Sequence, residues 1–266
     1  MHRTRWYWGW QRGLGLALAG VTGGGILLSS AGDGRSTAYG QSSAQKPATA
    51  SKAGSLELLT PQNSALVLID HQPQMAFGVQ SHDRQLLLNN VEGLAKAAKV
   101  FKVPTVLTSV AEKSFSGPLW KEITNVFPDI KPIDRTSMNS WDDPNFRKAV
   151  EATGRRKIVM AALWTEVCLT MPAIDMIREG YDVYIVSDAS GGTSREAHDL
   201  AVQRMIQAGA IPVTWQQVML EWQRDWARGE TYEAITAVIK QHSGAYGLGV
   251  RYAKDMLGEH AREGGK

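Results

Sequence analysis

The single cysteine of this 266-residue chain, Cys168, lies where a buried strand is predicted to turn into a helix. A thiol in that position could act as a nucleophile. Chemistry in α/β folds gathers at the carboxyl ends of strands, and a helix N-terminus stabilises a thiolate. The alternative is structural, since an unpaired cysteine often behaves as a small buried hydrophobe. Position and residue type therefore make Cys168 a candidate nucleophile, but they do not decide between a catalytic and a structural role.

An acid and two cations occupy comparable strand ends. Asp70 ends the first predicted strand, where a carboxylate is costly unless it is paired, used in catalysis or bound to loop N–H groups. Arg135 follows the third strand, and a guanidinium beside a carboxylate and a thiol favours the charged form of both, although most arginines are solvated. Lys113, in the loop after the second strand, is the rival cation.

The segment around Cys168 also offers backbone groups for catalysis. Thr165 is predicted to be the N-cap of the helix that carries the thiol. Backbone N–H groups near Trp164 and Cys168 would then point at an oxyanion that develops during acyl transfer. Asp188, which ends the fifth predicted strand, is given a mainly structural role at the following glycine turn.

The elements that must position these residues form an alternating pattern. Short apolar runs predict buried strands, and stretches with apolar residues at helical spacing predict the crossovers between them. The fold is therefore expected to be a three-layer α/β/α sandwich with a six-stranded, parallel, doubly wound sheet. A helix with Trp222-x-x-x-Trp226 could be a core helix or an assembly surface. The predicted strands are 64–69, 104–110, 130–133, 157–163, 182–187 and 210–214, and the helices are 83–102, 118–127, 143–153, 165–179, 194–208, 215–227 and 231–242.

Several classes of site are disfavoured. The histidines show no zinc-like spacing, and neither a phosphate-binding loop nor a dinucleotide-binding glycine motif follows a strand, so no metal or cofactor is expected. Gly247-Leu248-Gly249 is interpreted as part of a flexible tail. The absence of Gly-x-Ser-x-Gly disfavours a serine hydrolase. Residues 55–266 hold 23 basic and 25 acidic residues, which gives no electrostatic case for nucleic-acid binding.

The positive charge belongs to the N-terminal part of the chain. Residues 1–54 hold six basic residues and one acidic residue, and a basic start is followed by a short apolar run and small residues. This pattern predicts a signal peptide over 1–40, cleavage before Gln41 and export to the bacterial periplasm; an uncleaved membrane anchor is the alternative. We expect a flexible linker over 41–58, a catalytic domain over 59–242 and a C-terminal tail over 243–266.

Several dispersed blocks, in the same order, resemble the isochorismatase-like cysteine hydrolase superfamily and within it the YcaC-type branch. The similarity runs from about residue 59 to residue 242. The blocks are Val67-Leu68-Ile69-Asp70-His71-Gln72, Asn139-Ser140-Trp141-Asp142-Asp143, Thr165-Glu166-Val167-Cys168, Val186-Ser187-Asp188-Ala189-Ser190-Gly191, and Thr214-Trp215 through Arg224-Asp225-Trp226.

The resemblance implies a triad with Asp70 as general base, Cys168 as nucleophile and Arg135 as cation, at a position where most of the superfamily has lysine. It also implies a cis peptide bond between Leu163 and Trp164. The metal-ligating histidines of nicotinamidases have no match, and the thiol argues against an isochorismatase proper. The substrate would be a small amide or related C–N compound. Residues expected to bind it or stabilise the oxyanion are Trp164, Thr165, Trp141, Asn139 and Phe115.

Two other functions stay open at this point. YcaC-type relatives form octamers, so the chain could be a homo-oligomeric assembly or ligand-binding protein that has lost turnover. Alternatively, Cys168 could be a peroxide-reactive thiol, which would require a low pKa.

Overall fold

The computed structural model describes residues 57–258. The expected signal peptide, nearly all of the expected linker and residues 259–266 lie outside this range. No helix in the described range is long and apolar enough to cross a membrane.

The sheet has six parallel strands in the order β3-β2-β1-β4-β5-β6. Its two central strands, β1 and β4, are buried along their whole length, as expected where helices cover both faces. Pairing is in register from Ser64 opposite Lys157 to Ile69 opposite Ala162. The strands are β1 (Ser64–Ile69), β2 (Thr105–Val110), β3 (Ile133–Arg135), β4 (Lys157–Ala162), β5 (Asp182–Val186) and β6 (Ile211–Val213).

The helices form the two outer layers. Because right-handed crossovers run from β1 towards β3 and then from β4 towards β6, the connecting helices lie on opposite faces of the sheet. These findings confirm the expected fold class. The helices are α1 (Pro73–Phe77), α2 (Arg84–Val100), α3 (Lys121–Thr124), α4 (Pro144–Ala152), α5 (Thr170–Arg178), α6 (Arg195–Ala208), α7 (Trp215–Gln223), α8 (Gly229–His242) and α9 (Gly244–Leu257).

The third strand begins later than expected. It spans Ile133–Arg135 rather than 130–133, so Arg135 is the last residue of the strand and not the start of a loop. Pro132, which has no N–H group to donate to a ladder, directly precedes it.

Two expectations for the C-terminal part of the chain are wrong. Helix α7 ends at Gln223, because Arg224 adopts a positive φ of 61°. The segment around Gly247 is helical rather than flexible: a Cβ atom on Gly247 would lie 2.3 Å from the Ile239 carbonyl oxygen, so glycine lets α9 pack closely on α8. Trp222 is a core residue that is fully buried and donates its indole N–H to Ser64.

Candidate active site

The candidate site lies where the order of the sheet reverses. Strands β1 and β4 are neighbours, but the chain leaves them in opposite directions. In open α/β sheets this reversal opens a crevice at the carboxyl ends of the strands, and ligands bind there. Asp70 directly follows β1, and Cys168 lies six residues after β4. The topology therefore brings the acid and the thiol to one crevice.

Asp70 and Arg135 form a buried ion pair. The Arg135 Nη2 atom lies 2.7 Å from the Asp70 Oδ2 atom, and both side chains are fully shielded from solvent. The Arg135 Nη1 atom donates to the Ser137 carbonyl at 2.5 Å. Asp70 itself adopts φ = 57°, a left-handed conformation that is uncommon outside glycine and tends to occur at functional sites.

Asp70 and Cys168 influence each other's protonation. Burial raises the pKa of the Asp70 carboxyl to about 6, against the opposing effects of the Arg135 charge and a hydrogen bond with the Cys168 thiol. Burial also raises the pKa of Cys168, and the negative charge of Asp70 adds to this effect. The Asp70 Oδ1 atom makes no hydrogen bond of regular geometry. At neutral pH the pair is thus a thiol beside a carboxylate that has a free lone pair.

The segment that carries Cys168 begins as a single π-helical turn, Thr165–Leu169, before α5. The Trp164 carbonyl accepts N–H groups from Val167, Cys168 and Leu169 at 3.1, 2.9 and 3.3 Å. The Cys168 N–H is therefore engaged within the turn, contrary to the expectation that it faces an oxyanion. The Trp164 backbone instead hydrogen-bonds the sulfur and opposes the rise in its pKa. The peptide bond between Leu163 and Trp164 is cis, as expected.

The Trp164 side chain is held beneath α1. Its indole N–H donates to the Met75 carbonyl at 2.7 Å. A Cβ atom on Gly78 would lie only 2.6 Å from the Trp164 Cζ2 atom, so the backbone after α1 presses directly on the ring. The half-buried indole is thereby fixed beside the turn that holds the thiol.

Thr165 does not cap a helix, because Trp164 occupies that position and no side-chain cap is made. The Thr165 hydroxyl is instead fully buried and pairs with the His198 Nδ1 atom at 2.8 Å. Burial lowers the pKa of His198 to about 4, so its ring is neutral at physiological pH. The contact ties the nucleophile turn to α6.

The structure does not bring Asn139 and Trp141 to the thiol. The Asn139 amide donates to Asp175 at 2.8 Å and the Trp141 indole to Glu179 at 3.0 Å. Those acceptors lie about two and three helical turns beyond Cys168, which is on the order of 10 Å or more along α5. Both residues fix the loop after β3 to that helix.

The two remaining candidates lie in the loop after β2. Lys113 is exposed and takes part in none of the ion pairs among residues 57–258, so the structure favours Arg135 over Lys113 as partner of Asp70. Phe115, in the same loop, has 66% of its surface exposed.

Asp188 has a structural role, as expected, but its contact is at the start of α7 rather than at the glycine turn after β5. Its Oδ1 atom accepts the Trp215 backbone N–H at 2.8 Å, at the start of α7. Burial raises the pKa of this carboxyl to about 6. Within residues 57–258, no three His, Cys, Asp or Glu side chains cluster as a metal site would require.

Three supporting residues were missed by sequence reasoning. The Ser137 carbonyl binds Arg135, the Met75 carbonyl binds Trp164, and His198 binds Thr165. Two of these contacts use backbone oxygens, which any residue type supplies. His198 lies 33 residues from its partner, so no local spacing marks it.

Comparisons with known proteins identify relatives of this chain. The isochorismatase domain model matches residues 64–217. The chain is 38% identical to the probable hydrolase YcaC of Escherichia coli over 185 residues, which cover 69% of this chain and 88% of that protein.

Two solved structures of YcaC proteins are also similar. The YcaC gene product of Escherichia coli, described as an octameric hydrolase of unknown specificity, superposes with a TM-score of 0.72 at 37% identity, covering 75% of this chain and 97% of that one. YcaC from Pseudomonas aeruginosa, solved with hexane-2,5-diol and covalent acrylamide, gives a TM-score of 0.71 at 34% identity, with coverages of 74% and 97%.

Proposed function

The chain belongs to the isochorismatase family, and we propose that it is a cysteine hydrolase of small amides or related C–N compounds. The observation that carries the proposal is the buried Asp70–Arg135 ion pair beside the Cys168 thiol. Family membership supports hydrolysis, and the Pseudomonas aeruginosa relative was solved with covalent acrylamide, an electrophile that reacts with nucleophilic side chains.

The first half-reaction forms a thioester. Asp70 takes the proton of the Cys168 thiol through its free Oδ1 atom as the sulfur attacks the carbonyl carbon. The Trp164 N–H, whose interaction with the sulfur opposes the rise in the Cys168 pKa, is the candidate donor to the oxyanion. Asp70 then gives its proton to the departing nitrogen, the C–N bond breaks and the amine leaves.

The second half-reaction restores the thiol. Asp70 removes a proton from a water molecule that attacks the thioester carbon, and the carboxylic acid is released as the C–S bond breaks. The proton held by Asp70 returns to the sulfur. Arg135 keeps the buried carboxylate able to ionise, because it offers a compensating charge at 2.7 Å.

Trapping the thioester tests this proposal. We expect intact-mass spectrometry, after incubation with a panel of small amides and carbamates, to show an acyl adduct at Cys168. The adduct should be absent from Cys168→Ala, and hydrolysis should fall by about 10³-fold or more. Full turnover by that variant would exclude the thiol as nucleophile.

A non-catalytic homo-oligomer is the second candidate. The observation that favours it is the burial of Cys168, which has 3% of its surface exposed and a pKa raised by burial. Assembly into an oligomer, with an octamer as in the Escherichia coli relative, is part of either proposal. The raised pKa speaks against a peroxide-reactive thiolate, which needs a low pKa.

A further inference from the structure

Four large apolar side chains are exposed at the edge of the sheet where the candidate site lies. They follow the four strands β1, β2, β3 and β4 in turn. Large apolar side chains that are both exposed and gathered in one region mark a binding surface more often than scattered ones do. The four are Phe77, Phe115, Met138 and Met171, with 74%, 66%, 65% and 41% of their surfaces exposed; we call them the apolar rim.

Two members of the apolar rim are tied to the nucleophile turn. Phe77 precedes Gly78, whose backbone presses on the Trp164 ring. Met171 follows Cys168 by three residues, which places it about one turn further along the same helical segment.

The other two members are tied to the acid and the cation. Met138 follows Ser137, whose carbonyl binds the Arg135 guanidinium. Phe115 lies two residues before Gly117, whose carbonyl accepts the Gln72 amide; Gln72 itself lies two residues after Asp70. Each member of the apolar rim is therefore within three residues of a group that forms or supports the site.

The buried groups of the candidate site carry no net charge. Asp70 and Arg135 neutralise each other, and Cys168 is a neutral thiol at physiological pH. No uncompensated cation among residues 57–258 lies within this buried group to receive an anionic substrate. The cations next to the apolar rim are both solvent-exposed: Lys113 lies two residues before Phe115, and Arg84 donates to the Phe77 carbonyl at 3.1 Å.

We propose that the site takes small neutral amides that carry an apolar substituent, and rejects analogues in which a carboxylate replaces that substituent. This inference rests on the proposed function and names its substrate class. Each methylene of the substrate that contacts the apolar rim should raise kcat/KM about threefold to tenfold. A carboxylate there would lose the apolar contact and gain only solvent-screened attraction from exposed cations, which should lower kcat/KM about tenfold or more relative to the apolar substituent.

Alkylation of Cys168 measures this preference without requiring turnover. The full-length protein is treated with iodoacetamide, N-butyliodoacetamide and iodoacetate, and each rate is divided by the rate with N-acetylcysteine. Intact mass locates the label, with Cys168→Ser as the unlabelled control. We expect normalised rates to rise from iodoacetate to iodoacetamide to the butyl reagent. A normalised rate with iodoacetate that equals or exceeds the rate with iodoacetamide would overturn the proposal. A slower iodoacetate reaction in Lys113→Ala would then identify Lys113 as the cation that receives the carboxylate.

Two rim variants and a matched control localise the effect. Phe115→Ser and Met171→Gln should reduce the advantage of the butyl reagent about threefold or more, whereas Leu200→Gln, at an exposed apolar residue of α6, should leave it unchanged. An undiminished butyl advantage in both rim variants would overturn the role of the apolar rim. If the same variants instead lowered the oligomeric mass, the rim would be an interface between copies of the chain.

Hydrolysis of hexanamide against succinamate, its carboxylate-bearing counterpart, separates this inference from the proposed function. Turnover of succinamate in preference to hexanamide would overturn the substrate class and leave the hydrolase intact. If neither turnover nor a thioester is found but the alkylation rates follow the expected order, the proposed hydrolase function is contradicted. The inferred preference of the site for neutral, apolar reagents is then still supported.

Discussion

At the residue scale, the candidate site depends on a carboxylate that is neither solvated nor strongly acidic. Asp70 is buried beside one cation, and the cost of burial exceeds the stabilisation that Arg135 provides, so the pKa rises to about 6. A general base is most effective when its pKa lies near the working pH. The thiol, with its raised pKa, depends on that base to become a nucleophile.

The pH dependence of Cys168 alkylation follows from this pairing. Asp70 can accept the thiol proton only when it is ionised, and its ionised fraction falls tenfold for each pH unit below its pKa of about 6. We therefore expect the rate of iodoacetamide labelling to be level above about pH 7 and to fall below about pH 6. A rate that instead rose through the ordinary cysteine pKa of about 8.5 would indicate an isolated thiol.

Replacement of Arg135 separates charge from geometry. Arg135→Lys keeps a cation beside Asp70 but loses the planar fork that also binds the Ser137 carbonyl, so we expect labelling and hydrolysis to fall about tenfold. Arg135→Met leaves the buried carboxylate uncompensated and should lower the free energy of unfolding by about 3–5 kcal/mol. It should also shift the pH dependence of labelling to higher pH.

Urea denaturation and pH-rate profiles of the two variants measure these effects. Arg147→Met, at an arginine whose ion pair with Glu179 is solvent-accessible, is the matched control and should change stability far less. An unchanged pH profile in Arg135→Met would mean that the guanidinium does not govern the ionisation of Asp70.

At the element scale, the site depends on close packing between α1 and the nucleophile turn. The expected helix at residues 165–179 is present, but its first turn is a π turn whose residues bind the Trp164 carbonyl. Hydrophobic periodicity predicts that a helix exists and cannot distinguish a π turn from an α turn over five residues. Hydrophobic periodicity also could not predict the distant partners of this segment, Met75 and His198.

Gly78→Ala tests whether the packing of Trp164 matters. The added methyl group would lie 2.6 Å from the ring, so the ring or α1 must shift. We expect a fall of about tenfold in hydrolysis and in Cys168 labelling, with a loss of about 1–3 kcal/mol in the free energy of unfolding. Gly229→Ala, where a Cβ atom would meet nothing within 4 Å, is the control and should retain activity. Equal activity of the two variants would show that the position of Trp164 is not needed.

At the scale of the whole molecule, the alternation of strands and helices predicted the sheet, and parallel strands bring their carboxyl ends to one edge. The choice of Arg135 over Lys113 as the partner of Asp70 and Cys168 came from the family resemblance. The resemblance placed Trp141 at the site, yet its indole N–H donates to Glu179, about three helical turns beyond Cys168. Sequence reasoning missed the helix around Gly247, since glycine has a low helix propensity, and the close contact with α8 overrides that tendency.

Export remains a prediction about residues outside the described range. We propose that the first 40 residues are removed in the bacterial periplasm, which leaves Gln41 as the N-terminus. Cell fractionation and intact-mass measurement of the protein expressed from the full sequence would test this, with Tyr39→Pro near the expected cleavage point as a variant that should accumulate the longer form. A full-length mass in the cytoplasmic fraction would contradict export.

An exposed apolar stripe on α9 indicates that the chain assembles with other copies of itself. Leu248, Tyr252 and Met256 repeat every four residues along α9, which gives one apolar stripe, and 50%, 57% and 78% of their respective surfaces are exposed. Stripes of this kind are normally covered by a partner, and the similar Escherichia coli protein is an octamer. We therefore expect light scattering after size-exclusion chromatography to give a multiple of the subunit mass.

A double variant locates the contact that holds the assembly together. Tyr252→Glu with Met256→Glu should lower the oligomeric mass, because two charges would be buried without partners in any interface that covers the stripe. The matched pair Leu200→Glu with Ile206→Glu, at exposed apolar positions of α6, should leave the mass unchanged. A monomeric wild-type protein would contradict assembly altogether. An unchanged mass in the α9 variant, with the wild type oligomeric, would place the interface on another face.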